Sequence, residues 1–241
     1  MLATGARSFV LGALIASAAN AAAAQESHRM NTLTEAERAE GWRLLFDGRS
    51  MDGWRGYMQP AVPDGWQAVD GLLTRVAQAG DIITTEKFRD FELAFEFNVA
   101  PGGNSGIFYR AIEGPDLVYY AAPEYQVLDD AAHRDGNSPM TSTGANYAIH
   151  PAPPGVSKPA GQWNSGRIIV NGHHVEHWLN GQKVVEYELG SEDWMERVAR
   201  SKFNQWPEYG KAEEGHIGIQ DHGSMVQYRN VKVRTISRDR N

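Results

Sequence analysis

The 241-residue chain contains no cysteine. That excludes a disulfide framework, a lipid-modified cysteine anchor and a cysteine nucleophile, so the fold must hold by burial alone. Basic charge is also short: 23 Lys and Arg stand against 30 Asp and Glu, a formal charge of −7. This balance argues against a phosphate-backbone partner, and nucleic acid is not expected. The apolar stretch Phe9 to Ala19 falls well short of the roughly 20 residues that a spanning helix needs. It follows Arg7 and precedes Ala22-Ala23-Ala24, the order of a secretory leader: basic start, apolar core, small-residue cleavage site. Residues 1–24 are therefore expected to be removed, leaving a mature chain from about Gln25 that is periplasmic or secreted and free of the membrane. Missing as well are a P-loop, a Gly-rich dinucleotide fingerprint and a Gly-x-Ser-x-Gly nucleophile elbow.

The remaining chain is too short for two ordinary domains and long enough for one large β sandwich. Thr34 with Glu37 forms a capping-box pattern ahead of Gly41, which predicts a short lead-in helix within residues 25–41. From Trp42 the sequence turns to short alternating runs broken by Gly, Pro, Asn and Asp, the pattern of a strand-rich domain over 42–236. Phe91, Leu93, Phe95, Phe97 and Val99 alternate with Glu92, Ala94, Glu96 and Asn98, so one face of that strand is buried and the other wet. Val175 to Leu179 and Lys183 to Tyr187 flank Asn180-Gly181, a strong hairpin signal because both turn residues tolerate positive φ. Ile217 and Ile219 face one way, and a last strand runs from Val226 to Val233. Ser191 to Lys202 breaks the β pattern as a surface helix capped by Ser191, with Glu192 and Asp193 early and Arg197 and Arg200 late. Pro151 to Pro159 reads as a functional or edge loop.

Seven Trp and nine Tyr suit an aromatic-lined site for a neutral polar ligand such as a sugar, and equally suit a β core. Strand alternation converts spacing into geometry, and several strands carry polar groups on one face. Phe108 and Arg110 are expected to share a face, as are Glu124 and Gln126, with Asp129 closing that run. His174, Glu176, Trp178 and Asn180 line up likewise, as do Gln220 and His222. On a concave sheet such groups would line a sugar cleft. Glu124 and Asp129 could be an acid–base pair, or carboxylates that face solvent or pair with an arginine such as Arg110. His173, His174 and His177 do not fit the helical zinc-protease pattern, because His174 and His177 point to opposite faces of a strand. Gln126 stands where the second acid of a sandwich glucanase would be, which disfavours direct hydrolysis by two carboxylates on one strand.

The order of short motifs resembles one family. Leu45-Phe46-Asp47-Gly48, Asp52-Gly53-Trp54, Asp90-Phe91-Glu92-Leu93, Gly103-Asn104-Ser105-Gly106-Ile107 and Glu124-Tyr125-Gln126-Val127-Leu128-Asp129 come first. Thr143-Gly144, Trp163-Asn164, Trp178-Leu179-Asn180-Gly181, Gln220-Asp221-His222-Gly223 and Arg229-Asn230-Val231 follow. Together they are similar to the 3-keto-disaccharide hydrolase domain family and span about Trp42 to Val233. The resemblance implies an all-β, concanavalin A-like jelly roll of two antiparallel sheets with one or two peripheral helices. It implies activity on disaccharides or glycosides already oxidised to a ketone at ring position 3, and thus a functional link to a sugar 3-oxidoreductase. That ketone acidifies the hydrogen at position 2, so proton abstraction, loss of the anomeric substituent and hydration form the expected route. On that reading Glu124 or His222 is the base, Arg110 the cation for the enolate and Asp129 the orienter or acid. A divalent metal held by Glu124, Asp129 or His222 is the alternative source of enolate stabilisation. Asn104, Gln126, Tyr147, Asn164 and Gln220 would bond sugar hydroxyls, with Trp163 as a stacking platform. A non-catalytic lectin-like module and a conventional glycoside hydrolase are the rival readings.

Overall fold

The computed structural model describes residues 30–237. The leader expected over 1–24 lies outside them. Two antiparallel sheets make up the body. The larger runs in the order β11 (Gln182–Glu188), β10 (His174–Leu179), β9 (Asn164–Asn171), β6 (Phe91–Val99), β13 (Val226–Thr235), β4 (Leu72–Arg75) and β3 (Trp66–Val69), with β1 (Arg43–Leu44) also paired to β13. The smaller runs β2 (Trp54–Gly56), β5 (Ile82–Thr84), β12 (His216–Ile219), β7 (Asn104–Ala111) and β8 (Glu124–Leu128). Among the described residues two α-helices lie outside the sheets, α1 (Glu35–Ala39) and α2 (Glu192–Arg200).

The alternating strand forms as its pattern requires. Phe91, Leu93, Phe95, Phe97 and Val99 of β6 all enter the core between the sheets. Burying such side chains contributes on the order of 2 kcal/mol each before conformational entropy is counted. They meet Ile107 and Tyr109 of β7, Tyr125 and Val127 of β8, and Ile217 and Ile219 of β12. Polar ties cross the same interior: Ser105 Oγ lies 2.8 Å from Tyr228 Oη, and Tyr109 Oη lies 3.0 Å from His177 Nε2. Each satisfies a group that would otherwise cost about 1–3 kcal/mol when buried alone.

The hairpin forms between β10 and β11 with Asn180 at φ 50° and Gly181 at φ 82°, the double positive φ that a tight two-residue turn demands. Thr34 caps α1, and Glu37 returns the bond to the Thr34 backbone N–H. Ser191 caps α2 by accepting from Trp194 N–H.

The two sheets differ in how their outer faces are covered. In the large sheet the outward residues of β9 and β10 are exposed or half-buried. In the small sheet β5, β7, β8 and β12 are buried at every position, so their outward face is roofed. Val118 and Ala122 pack over Phe108 and Ala111 on one side. Thr141 O accepts from Gln126 Nε2 on the other.

Candidate functional site

The roofed face carries buried polar side chains, and backbone register fixes their order. Ile83 pairs with Gly218, Gly218 with Phe108 and Phe108 with Glu124, forming one row across the sheet. One step along, Gly106 pairs with Gln126, and Gln220 N–H donates to Gly106 O. By alternation Asp81, just before Ile82, joins this second row. Asn104 begins β7 on the same face. Asp81, Gln220, Asn104, Gln126 and Glu124 therefore share a floor made partly of Gly106 and Gly218.

Glu124 is the centre of this floor. Its carboxyl lies over Gly106 so closely that a Cβ there would overlap Oε1, which accounts for glycine at that position. Among the described residues the carboxyl accepts no hydrogen bond, and burial pushes its pKa up to about 8. The nearby Lys202 charge opposes that rise, while Asp81 and Asp135 reinforce it. The Lys202 ammonium sits 4.5 Å from the centroid of the Tyr147 ring and 5.3 Å from that of Tyr119. Burial lowers its pKa, against the pull of Glu124 and Asp135.

A second carboxyl stands across the floor. Asp81 Oδ1 accepts from Asp221 N–H at 2.8 Å, and burial raises the Asp81 pKa to about 6. Asp221 holds this corner together. It accepts from Arg75 Nε at 2.5 Å, from Ala79 N–H at 2.7 Å and from Gly80 N–H at 2.9 Å, fixing the segment that delivers Asp81. Near the far end of the floor His222 is exposed, its ring centroid 6.3 Å from that of His133. The Asp135 N–H donates to His133 Nδ1, and Tyr147 Oη donates to Asp135 Oδ2 at 3.2 Å. Burial, with Asp135 adding, raises the Tyr147 pKa to about 12.

Glu124, Gln126, Asn104 and Gln220 thus share the outer face of the small sheet, with Tyr147 and His222 beside it, and the other expected residues lie elsewhere. Arg110 does not share the face of Phe108, because its φ of 51° and the register shift between His216 and Gly218 turn it out of alternation. Its guanidinium donates to Arg89 O, Gly172 O and Asp90 Oδ1, joining the two sheets at their edge. Asp129 accepts from Gly102 N–H at 2.8 Å and Ala131 N–H at 3.2 Å, so its carboxylate shapes a loop. Asn164 opens β9 of the large sheet, and Trp163 immediately precedes it. The Arg229 guanidinium covers the Trp163 ring at 4.0 Å, and Asn164 Oδ1 accepts from Lys158 N–H and Asn180 Nδ2. His174, Glu176 and Trp178 line up as expected, but on the outer face of the large sheet.

The metal expectation does not fit these positions. Among the described residues, the group whose ligand atoms all lie within 4.8 Å of one another is His174, Glu176 and Glu186, not Glu124, Asp129 and His222. The cation beside Glu124 is Lys202, not Arg110. Sequence reasoning missed Asp81, Asp135, His133 and Lys202. Asp81 alone carried a signal, as a charged residue in step with Ile83 ahead of a buried run. Lys202 reaches Glu124 across 78 positions of chain, which no local pattern encodes.

Comparison with known proteins agrees with this architecture. Residues 41–234 match the 3-keto-alpha-glucoside-1,2-lyase-like domain. A 3-keto-disaccharide hydrolase of Bacteroides thetaiotaomicron is 36% identical over 239 residues, covering 86% of this chain and 82% of that protein. The crystal structure of a candidate glycosyl hydrolase from Parabacteroides distasonis aligns with a TM-score of 0.80 at 35% identity, covering 87% of this chain and 100% of that one. A second from the same organism aligns with a TM-score of 0.67 at 28% identity, covering 81% and 99%. A jelly roll of two antiparallel sheets, matched over most of its length by these sequences, makes the chain a member of the 3-keto-alpha-glucoside-1,2-lyase-like family of carbohydrate hydrolases.

Proposed function

We propose that this protein cleaves 3-keto-glycosides, including 3-keto-disaccharides, by elimination followed by hydration. A base takes the proton at C2, the electron pair moves toward the C3 ketone to form an enolate, and the bond from C1 to the leaving oxygen then breaks as that oxygen takes a proton. Water adds at C1 and a proton returns to C2, so the net change is hydrolysis. Asp81, with a pKa of about 6, is largely ionised at pH 7 and is the base. Glu124, with a pKa of about 8, is largely protonated there and is the acid for the leaving oxygen. Two carboxyls whose surroundings separate their pKa values are what such a division of labour requires.

The observation that carries the reading is the ammonium of Lys202, set over the faces of Tyr147 and Tyr119 beside Glu124. A fixed positive charge stabilises an enolate oxygen and opposes an oxocarbenium ion. The expected export of the chain fits such a scavenging role, and the ketone would come from an oxidoreductase acting at ring position 3.

Asp81 on the same floor as Glu124 also favours a second reading, conventional hydrolysis of unoxidised glycosides by two facing carboxyls. Incubation with a 3-keto-glucoside and its unoxidised parent separates the two. The proposal expects release from the keto compound alone, abolished by Lys202→Met; equal release from both compounds would favour conventional hydrolysis.

A further inference from the structure

The outer face of the large sheet carries a cluster of titratable groups that the catalytic reading does not use. In the β10–β11 hairpin Glu176 stands directly opposite Glu186, and His174 opposite Glu188, so the four form one block on that face. Like charges facing each other across a strand pair are destabilising. Three carboxylates with Lys183 as the neighbouring ammonium leave the block negative even when His174 is protonated. Each of three side chains here has one atom held from outside and one turned to a common centre. Glu188 Oε1 lies 2.6 Å from His174 Nδ1, Trp178 Nε1 donates to Glu176 Oε2 at 2.6 Å, and Lys183 Nζ lies 2.6 Å from Glu186 Oε2. The other atoms converge: His174 Nε2 is 3.3 Å from Glu176 Oε1 and 3.4 Å from Glu186 Oε1. One ligand atom from each of these three residues lies within 4.8 Å of the other two. A tetrahedral zinc ion with bonds of about 2.0–2.1 Å sets neighbouring ligand atoms about 3.3–3.4 Å apart. An imidazole whose second nitrogen is held by a carboxylate is also the usual arrangement behind a metal-bound histidine.

We propose that His174 Nε2, Glu176 Oε1 and Glu186 Oε1 form a zinc site on the β10–β11 hairpin, with water as the fourth ligand and Glu188, Trp178 and Lys183 holding the three ligands in place. One imidazole with two carboxylates suits zinc better than magnesium or calcium, which take six or more oxygen ligands. On binding, the ion takes the Nε2 lone pair, any proton there leaves to solvent, and the positive charge offsets the repulsion between Glu176 and Glu186. It also ties β11, the edge strand of the large sheet, to β10. The site lies on the sheet that does not carry Glu124, so its role is to hold the hairpin and not to touch substrate. It stands whether or not the elimination reading holds.

The test is calorimetric titration of chelator-treated protein with zinc chloride. One site per chain of micromolar or tighter affinity is expected. His174→Gln and, separately, Glu186→Gln, at an exposed position, should each weaken it at least tenfold, with melting in the absence of zinc as the check that both variants fold. Because a ligand that binds only the folded state stabilises it, saturating zinc should raise the melting temperature of the wild type and leave that of either variant nearly unchanged. X-ray absorption at the zinc edge should show one imidazole nitrogen and otherwise oxygen ligands. No binding at zinc concentrations up to about 100 μM overturns the site. Binding that both variants leave unchanged overturns it as well, and would mean uptake by other histidines, such as the neighbouring rings of His133 and His222. Displacement of the zinc by an equal concentration of magnesium or calcium would overturn the assignment to an imidazole-ligated ion.

Discussion

Replacing Glu124 by Gln should stabilise the protein while ending its activity, and the size of the gain should depend on pH in a way the site dictates. The carboxyl is buried over Gly106 without a hydrogen bond, and its pKa rises from 4.5 to about 8 on folding. A group whose folded pKa is raised favours the fold below its unfolded pKa and loses that contribution as pH rises through the folded value. Each pH unit between the two values costs 1.36 kcal/mol. The wild type should therefore match the Gln variant near pH 4.5, fall behind by about 3 kcal/mol at pH 7, and level off at about 5 kcal/mol above pH 8. Glutamine has nearly the same shape and stays neutral throughout, so the difference isolates the charge. Urea denaturation of both proteins at half-unit steps from pH 4.5 to 9 measures it. Parallel curves across that range would refute the buried neutral carboxyl, and with it the assignment of Glu124 as the acid.

Three further outcomes follow from the same geometry. Gly106→Ala should lower kcat at least a hundredfold while leaving the fold intact, because a Cβ displaces the Glu124 carboxyl and misplacement of about 1 Å can cost that much; steady-state kinetics beside a melting curve decide it. Arg110→Met should cost about 3–5 kcal/mol of stability, the penalty for unpairing buried polar groups, yet leave kcat per folded molecule within a few-fold. Loss of activity without loss of stability would return Arg110 to the site. In an NMR titration His177, held neutral by burial with a pKa near 3, should show no change between pH 5 and 8. His174, whose bond to Glu188 raises its pKa, should titrate with a midpoint above 6.5; the reverse order would contradict the facing of β10.

Strand alternation and turn chemistry made most of the fold legible. Phe91 to Val99, the Asn180-Gly181 hairpin and the Thr34–Glu37 capping box are local patterns, and each forms where its residues predict. Half of the site was legible for the same reason, since Glu124, Gln126, Asn104 and Gln220 keep to the period of two. Arg110 went astray because a positive φ breaks that period, and nothing in the sequence around it announces the turn. His174 was read to the right face of its strand, but which sheet holds that strand, or the strand that Asn164 opens, is not a local property. Sheet membership follows from long-range pairing, as in β9 beside β6, which separates residues by more than 60 positions. Lys202 was invisible because its partner Glu124 belongs to another element entirely.

The claim most exposed to test is that the bond at C1 breaks only after the proton at C2 has left. Cleaving a 3-keto-disaccharide in D2O and reading the C2 position of the product by NMR at early times addresses it directly. The account predicts one deuterium at C2 in essentially every product molecule, introduced faster than the free product exchanges on its own. Product that keeps its original C2 hydrogen would mean direct displacement at C1, and Asp81 and Glu124 would then act as the carboxyl pair of a conventional glycosidase.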